Sequence, residues 1–210
     1  MSDQTTDRIR ALENRHLQNL SRSNELGSSE DPDRMRMHLV FIHSVFEDTL
    51  RQLAVIRLEE GHEVFGKELS LRQIDLRKTK FTIAELVKAY PEKTCVELQD
   101  IAVREQIERL TFNNFGEVVA HFERIDLQPK NLDYFRKAID TGIKRRHKIV
   151  HQADIEIGSS EPTPISNDEV RRFLGATSFT IVDAILSYRG EESKMLEEAE
   201  FLGSFAHLYQ

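Results

Sequence analysis

Residues 143–154, IKRRHKIVHQAD, place four Lys/Arg and two His within the eight positions 144–151. Imidazole titrates near neutrality, so it can accept or give up a proton. A guanidinium offers a planar fork of donors that matches a phosphate. Together these groups suit proton transfer beside a phosphodiester. His147 and His151 also stand at i, i+4, as paired zinc ligands do. Lys-Ile-Val lies between them, however, with no glutamate of the HExxH kind and no third ligand marked in the sequence. Neither a metal nor a cofactor is therefore expected.

Whether these groups act together depends on the element that carries them. The apolar spacing predicts a helix over 132–154. With Ile139 at zero and about 100° per residue, Phe135, Ile143, Val150 and Ala153 fall within about 40° of it. Arg146, at about −20°, lies in the middle of that apolar face, with His147 at about 80° and His151 at about 120° on one flank. Asp154, three residues after His151, can orient that imidazole or begin the next loop. Lys144, Arg145 and Lys148 lie further round, as ordinary solvated charges or as contacts to a polyanion.

A guanidinium directed at a core costs several kcal/mol unless it meets a carboxylate or lines a wet cleft. Arg146 either snorkels past the apolar edge to water, or is held by a carboxylate at a cleft or subunit interface. Glu47 is the candidate carboxylate, on the side of its helix shared with Val40, Ala54 and Leu58. Its other reading is a pair with Arg51 at i+4, worth a few tenths of a kcal/mol.

The rest of the chain reads as helices. Residues 1–25 form a polar helix with a sparse apolar line, Ile9, Leu12 and Leu20, able to pack on a partner or stand in solvent. LGSSEDPD (26–33) breaks it. Over 34–60, Leu39, Ile42, Phe46, Leu50 and Leu53 recur at steps of three and four. Residues 61–76 read as a loop, with room for a short strand pair. Helical patterning returns over 82–90 and 94–110, and 111–131 carries turn residues around one short helix. Residues 155–168 are a loop closing on Ser166 or Asn167 as an N-cap. A strongly amphipathic helix from Val170 to Tyr188 and a last one over 196–208 complete the chain. The class is all-α, a bundle of long antiparallel helices. It divides into an N-terminal helical arm and linker (1–30), a helical domain (31–190) and a C-terminal helix packing on the bundle (191–210).

Composition sets outer bounds. The 210 residues include 39% hydrophobic and 31% charged side chains, with 12 Phe and 4 Tyr, which suits a globular core. No run approaches a membrane span and the N-terminus lacks an apolar signal core. A single cysteine, Cys95, suits a reducing cytoplasm and reads as a buried structural thiol. The net charge of −7 means that any nucleic-acid site must be a local positive patch.

RRHKIVHQAD (145–154) resembles the signature of the HEPN superfamily, Arg, four to six residues, then His near the end of a long helix. Here it is Arg146-x4-His151, with His147 as the polar residue that often follows the arginine. The wider string R-x4-H-x-A-D looks most like the RiboL-PSP branch. LVFIHSVFEDTLRQL (39–53) is similar to its first core helix, with Glu47 where that branch has a glutamate. The resemblance covers roughly residues 34–190. It implies a domain that dimerises, bringing two R-x4-H motifs together at a two-fold seam. Catalytic members are metal-independent endoribonucleases, while others have lost activity and only bind. The expectation is an endoribonuclease, a toxin or antiviral effector, with Arg146, His151 and Glu47 catalytic. His147, Lys144, Arg145 and Lys148 would hold RNA, and Asp154 would orient the site. The partners would be RNA, a second copy and an antitoxin or regulatory protein. The alternative is a non-catalytic helical dimerisation and binding module.

Overall fold

The computed structural model describes residues 3–27, 29–60 and 82–190. In chain order the helices are α1 (Asp3–Leu26), α2 (Pro32–Glu59), α3 (Ile83–Ala89), α4 (Cys95–Glu108), α5 (Phe115–Arg124), α6 (Arg136–Gln152) and α7 (Asn167–Arg189). A 3-10 turn, Leu132–Phe135, leads into α6. Among the described residues there is no strand, only an isolated bridge between Ile155 and Pro162. The class is all-α, as the periodicity required. No described helix is long and apolar enough to cross a membrane. The expected loop at 61–76 and the helix at 196–208 lie outside the described residues.

The chain forms two compact units, Met1–Leu50 with Phe112–Gln210, and Arg51–Thr111. In the first, α1 is not left in solvent. Ile9 and Leu12 are buried, Ser23 Oγ lies 2.5 Å from His38 Nε2, Arg15 pairs with Asp48 at 2.8 Å and Glu13 with Arg189 at 2.6 Å. These contacts fix α1 against α2 and α7. Leu39, Ile42, Phe46 and Leu50 are all buried on α2, following their three-and-four spacing.

α6 packs closely on α7. A Cβ built on Gly142 would stand 2.0 Å from Cδ2 of Phe173, so only a hydrogen fits there. Phe135 and Phe179 stack with centroids 5.5 Å apart. Ser166 caps α7 through the Glu169 N–H, and Gly190 ends it in the left-handed conformation. These devices set the height at which α6 presents its last two turns.

In the second unit, capping boxes start both short helices, Thr82 with Glu85 and Thr94 with Glu97. Ala102 is packed against Leu86, Ala89, Tyr90 and Ile101. Arg104 ties Asp100 to Glu59. Cys95 is exposed, not the buried thiol expected. It shares a helical face with Leu98 and Ala102, but it opens α4, and burial on that face begins only at Leu98.

Candidate functional site

The apolar stripe of α6 leaves the core partway along. Phe135, Ile139 and Ile143 are buried, Arg146 is half-buried, and Val150 is 46% exposed. Ala153 is also exposed, so the expected apolar face closes at Ile143 and its outer end meets no core. Arg146 sits at that crossing. Among the described residues it makes no ion pair or hydrogen bond, and its Nε is shielded from water without a partner.

His147 and His151 are exposed beside it, with ring centroids 4.5 Å apart and planes tilted by 44°. The other described histidines, His16, His38, His43 and His121, are buried. Burial pushes His16 and His121 down to about 4 and also lowers His38. The two imidazoles that the sequence singled out are thus the described pair open to solvent. No group of three His, Cys, Asp or Glu among the described residues is placed to hold a metal ion.

Glu47 does not pair with Arg146. Its Oε1 accepts the Phe112 N–H at 3.1 Å, and its Oε2 lies 3.8 Å from His43 Nδ1. His43 Nε2 stands 3.1 Å from the Phe112 carbonyl oxygen. Two α2 side chains one turn apart therefore hold both backbone polar groups of the buried Phe112. Glu47 is committed to that backbone, which a helical wheel cannot reveal because the partner is a loop peptide distant in sequence.

Arg145 and Asp154 need a second correction. The Arg145 side chain is only 11% exposed, and its Nη2 donates to Asp154 Oδ2 at 2.7 Å and to the carbonyls of Thr163 at 2.7 Å and Pro164 at 2.9 Å. From α2, Arg36 reaches the same two acceptors, Asp154 Oδ2 at 2.8 Å and the Thr163 carbonyl at 2.9 Å. Asp154 is fully enclosed, so it is a latch for two arginines rather than a partner that orients His151. The wheel places Arg145 in solvent because it treats Asp154 as helical. In fact Ala153 and Asp154 both have positive φ, 50° and 62°, which turns the chain back over α6. Their N–H groups both donate to the Lys148 carbonyl.

Arg36 and Thr163 are the members that sequence reasoning missed. No local pattern marks them, since 127 residues separate the two. Of the remaining cations, Lys144 pairs with Asp140 at 2.5 Å and Lys148 with Glu156 at 3.3 Å. Both pairs are solvent-facing and weak, so both ammonium groups remain able to meet a polyanion. The structure thus brings Arg146, His147, His151 and Val150 together at one open helix end, braced from behind by the Arg36–Asp154–Arg145 latch. No family model, no curated protein and no solved structure matches this chain.

Proposed function

We propose that the protein is a metal-independent endoribonuclease whose active site forms where two copies bring their α6 ends together. The observation that carries this reading is Arg146, an arginine on the line of buried apolar residues that meets no carboxylate among the described residues. An unmatched, partly desolvated guanidinium is costly. It is retained at low cost where an anion will neutralise it, and a phosphodiester fits the fork.

The chemistry divides between the named groups. His151 of one copy deprotonates the substrate's 2′-hydroxyl, and His151 of the other protonates the departing 5′-oxygen. Arg146 stabilises the charge that accumulates on the phosphoryl oxygens. Helix geometry supports the two-copy arrangement. Arg146 and His151 project about 140° apart on one α6, so the same chain presents them poorly to a single phosphate. A two-fold axis supplies the second set. The exposed Val150 beside Arg146 gives that seam an apolar contact. His147 flanks the pair, and Lys144 and Lys148 meet the RNA backbone.

Purified protein incubated with RNA in EDTA should yield 2′,3′-cyclic phosphate and 5′-hydroxyl ends, because the nucleophile is the substrate's own 2′-oxygen. His151→Ala should abolish this, and Arg146→Ala should slow it on the order of 10²-fold or more, with Arg146→Lys restoring little. Cleavage of an all-DNA strand, or dependence on a divalent ion, would contradict the mechanism. RNA binding with no cleavage would support the non-catalytic module instead. A monomer of 24.4 kDa at micromolar concentration would remove the composite site.

A further inference from the structure

Another side of α6 carries a groove that the nuclease reading leaves unused. Tyr134, Lys137 and Thr141 line it from the 3-10 turn and α6, and Ser166, Glu169 and Arg172 from the start of α7. Its volume is about 510 Å³, within the roughly 300–1,000 Å³ of small-ligand sites.

Two cations set its preference. Lys137 and Arg172 are exposed, and neither has a carboxylate partner among the described residues; Arg172 Nε donates to the Asp168 carbonyl at 3.2 Å. Most cations nearby are matched, Arg136 to Asp133, Lys144 to Asp140 and Arg145 to Asp154. The groove's carboxylate, Glu169, stands 3.8 Å from Arg145 Nε, which offsets part of its charge. Tyr134 adds a flat surface. It is 60% exposed, and Phe135 meets its ring edge-on at 5.0 Å between centroids. A braced, solvent-facing aromatic beside two unmatched cations is the combination that holds a base and its phosphate.

We propose that this groove binds a nucleoside phosphate unit. The base lies against Tyr134, the phosphate between Lys137 and Arg172, and Glu169 accepts from a ribose hydroxyl. The unit is either a free mononucleotide or one residue of single-stranded RNA. The RNA source rests on the nuclease reading, since Lys137 and His151 are fourteen residues apart on α6, about 21 Å of helix rise. A strand held in the groove would then feed the open helix end.

The test uses the full-length His151→Ala chain and a fluorescein-labelled 12-nucleotide RNA, read by anisotropy, with AMP as competitor. Lys137→Ala with Arg172→Ala should weaken binding on the order of 10- to 100-fold and flatten the log–log salt dependence by about 0.7, the value for one phosphate contact on a single strand. Tyr134→Ala should weaken it on the order of 10-fold and leave the salt slope unchanged. All three side chains are exposed, so the variants should fold as the parent does. Displacement of RNA by AMP identifies a site that accepts the free nucleotide. RNA binding that is sensitive to these substitutions but that millimolar AMP does not displace identifies an RNA residue. Unchanged binding by the double variant, or no binding of either probe by the parent, overturns the proposal. Cleavage is scored separately in chains retaining His151. Groove binding without cleavage counts against the nuclease alone, and cleavage with a KM unmoved by the groove substitutions counts against the groove alone.

Discussion

Two enclosed imidazoles, His16 and His121, are held by burial at about 4 against an ordinary 6.5. In the folded state they stay neutral at pH 5, whereas in the unfolded chain they take up protons below 6.5. Their contribution to stability is complete above about pH 6.5 and is lost as pH falls from there towards 4. Each pH unit is worth about 1.36 kcal/mol per group. At pH 5.0, 1.5 units below the unfolded value, each histidine costs about 2 kcal/mol, and the pair about 4 kcal/mol. His38 acts in the same direction. Most carboxylates titrate near 4, so the interval from pH 7.5 to 5.0 reads chiefly the histidines. Against a total stability of roughly 5–15 kcal/mol, the loss is large. Urea unfolding followed by far-ultraviolet circular dichroism at the two pH values measures it. His16 has no hydrogen-bond partner at either nitrogen and borders a cavity of about 10 Å³, room for roughly one water, so His16→Leu should fold well. That variant should lose about 2 kcal/mol less than the parent between the two pH values. Equal stability at both pH values, or an unchanged difference in His16→Leu, would refute the reasoning.

Outcomes at four further positions are expected from the same unfolding assay. Gly142→Ala should destabilise by about 3 kcal/mol or more, because its Cβ would enter the Phe173 ring, and adding Phe173→Leu should recover part of that. Asp154→Ala should cost about 3–5 kcal/mol by stranding two guanidiniums that are only 11% and 12% exposed, with Asp154→Asn intermediate. Arg145→Ala should also be strongly destabilising. Arg146→Ala should stay within about 1 kcal/mol of the parent, since it removes no hydrogen bond or ion pair, and equal losses from the two arginines would contradict this division.

Periodicity was enough to read α2, α6 and α7, because each carries an apolar stripe and stripes are written in local spacing, although that of α6 is buried only as far as Ile143. It also located Arg146 correctly as a break in pattern, and the exposed pair His147 and His151. It failed where the partner is a backbone atom or lies across the fold. Glu47 is satisfied by the Phe112 peptide, 65 residues away, and Arg145 by a carboxylate that reaches it only after two residues with positive φ. A wheel extended through Asp154 keeps turning where the chain does not, so the arginine one position before the conspicuous one looked solvated. The place of α1 was undecided because its sparse apolar line carries little of the docking; polar side chains such as Ser23 and Arg15 carry the rest.

The latch on Asp154 also bears on the order in which the molecule forms. Arg145 lies nine residues from Asp154 and can engage it as soon as α6 exists, but Arg36 lies 118 residues away and must wait for α2 to arrive. Contacts between such distant residues form slowly, because a long loop must close before they reward it. An isolated α6 segment, or a chain that has lost the start of α2, would hold two residues in an unfavourable backbone conformation with half of their compensation. Its end would fray. The imidazole pair is thus displayed in its folded position only after distant parts of the unit have met, so the geometry of this helix end is complete only when assembly is.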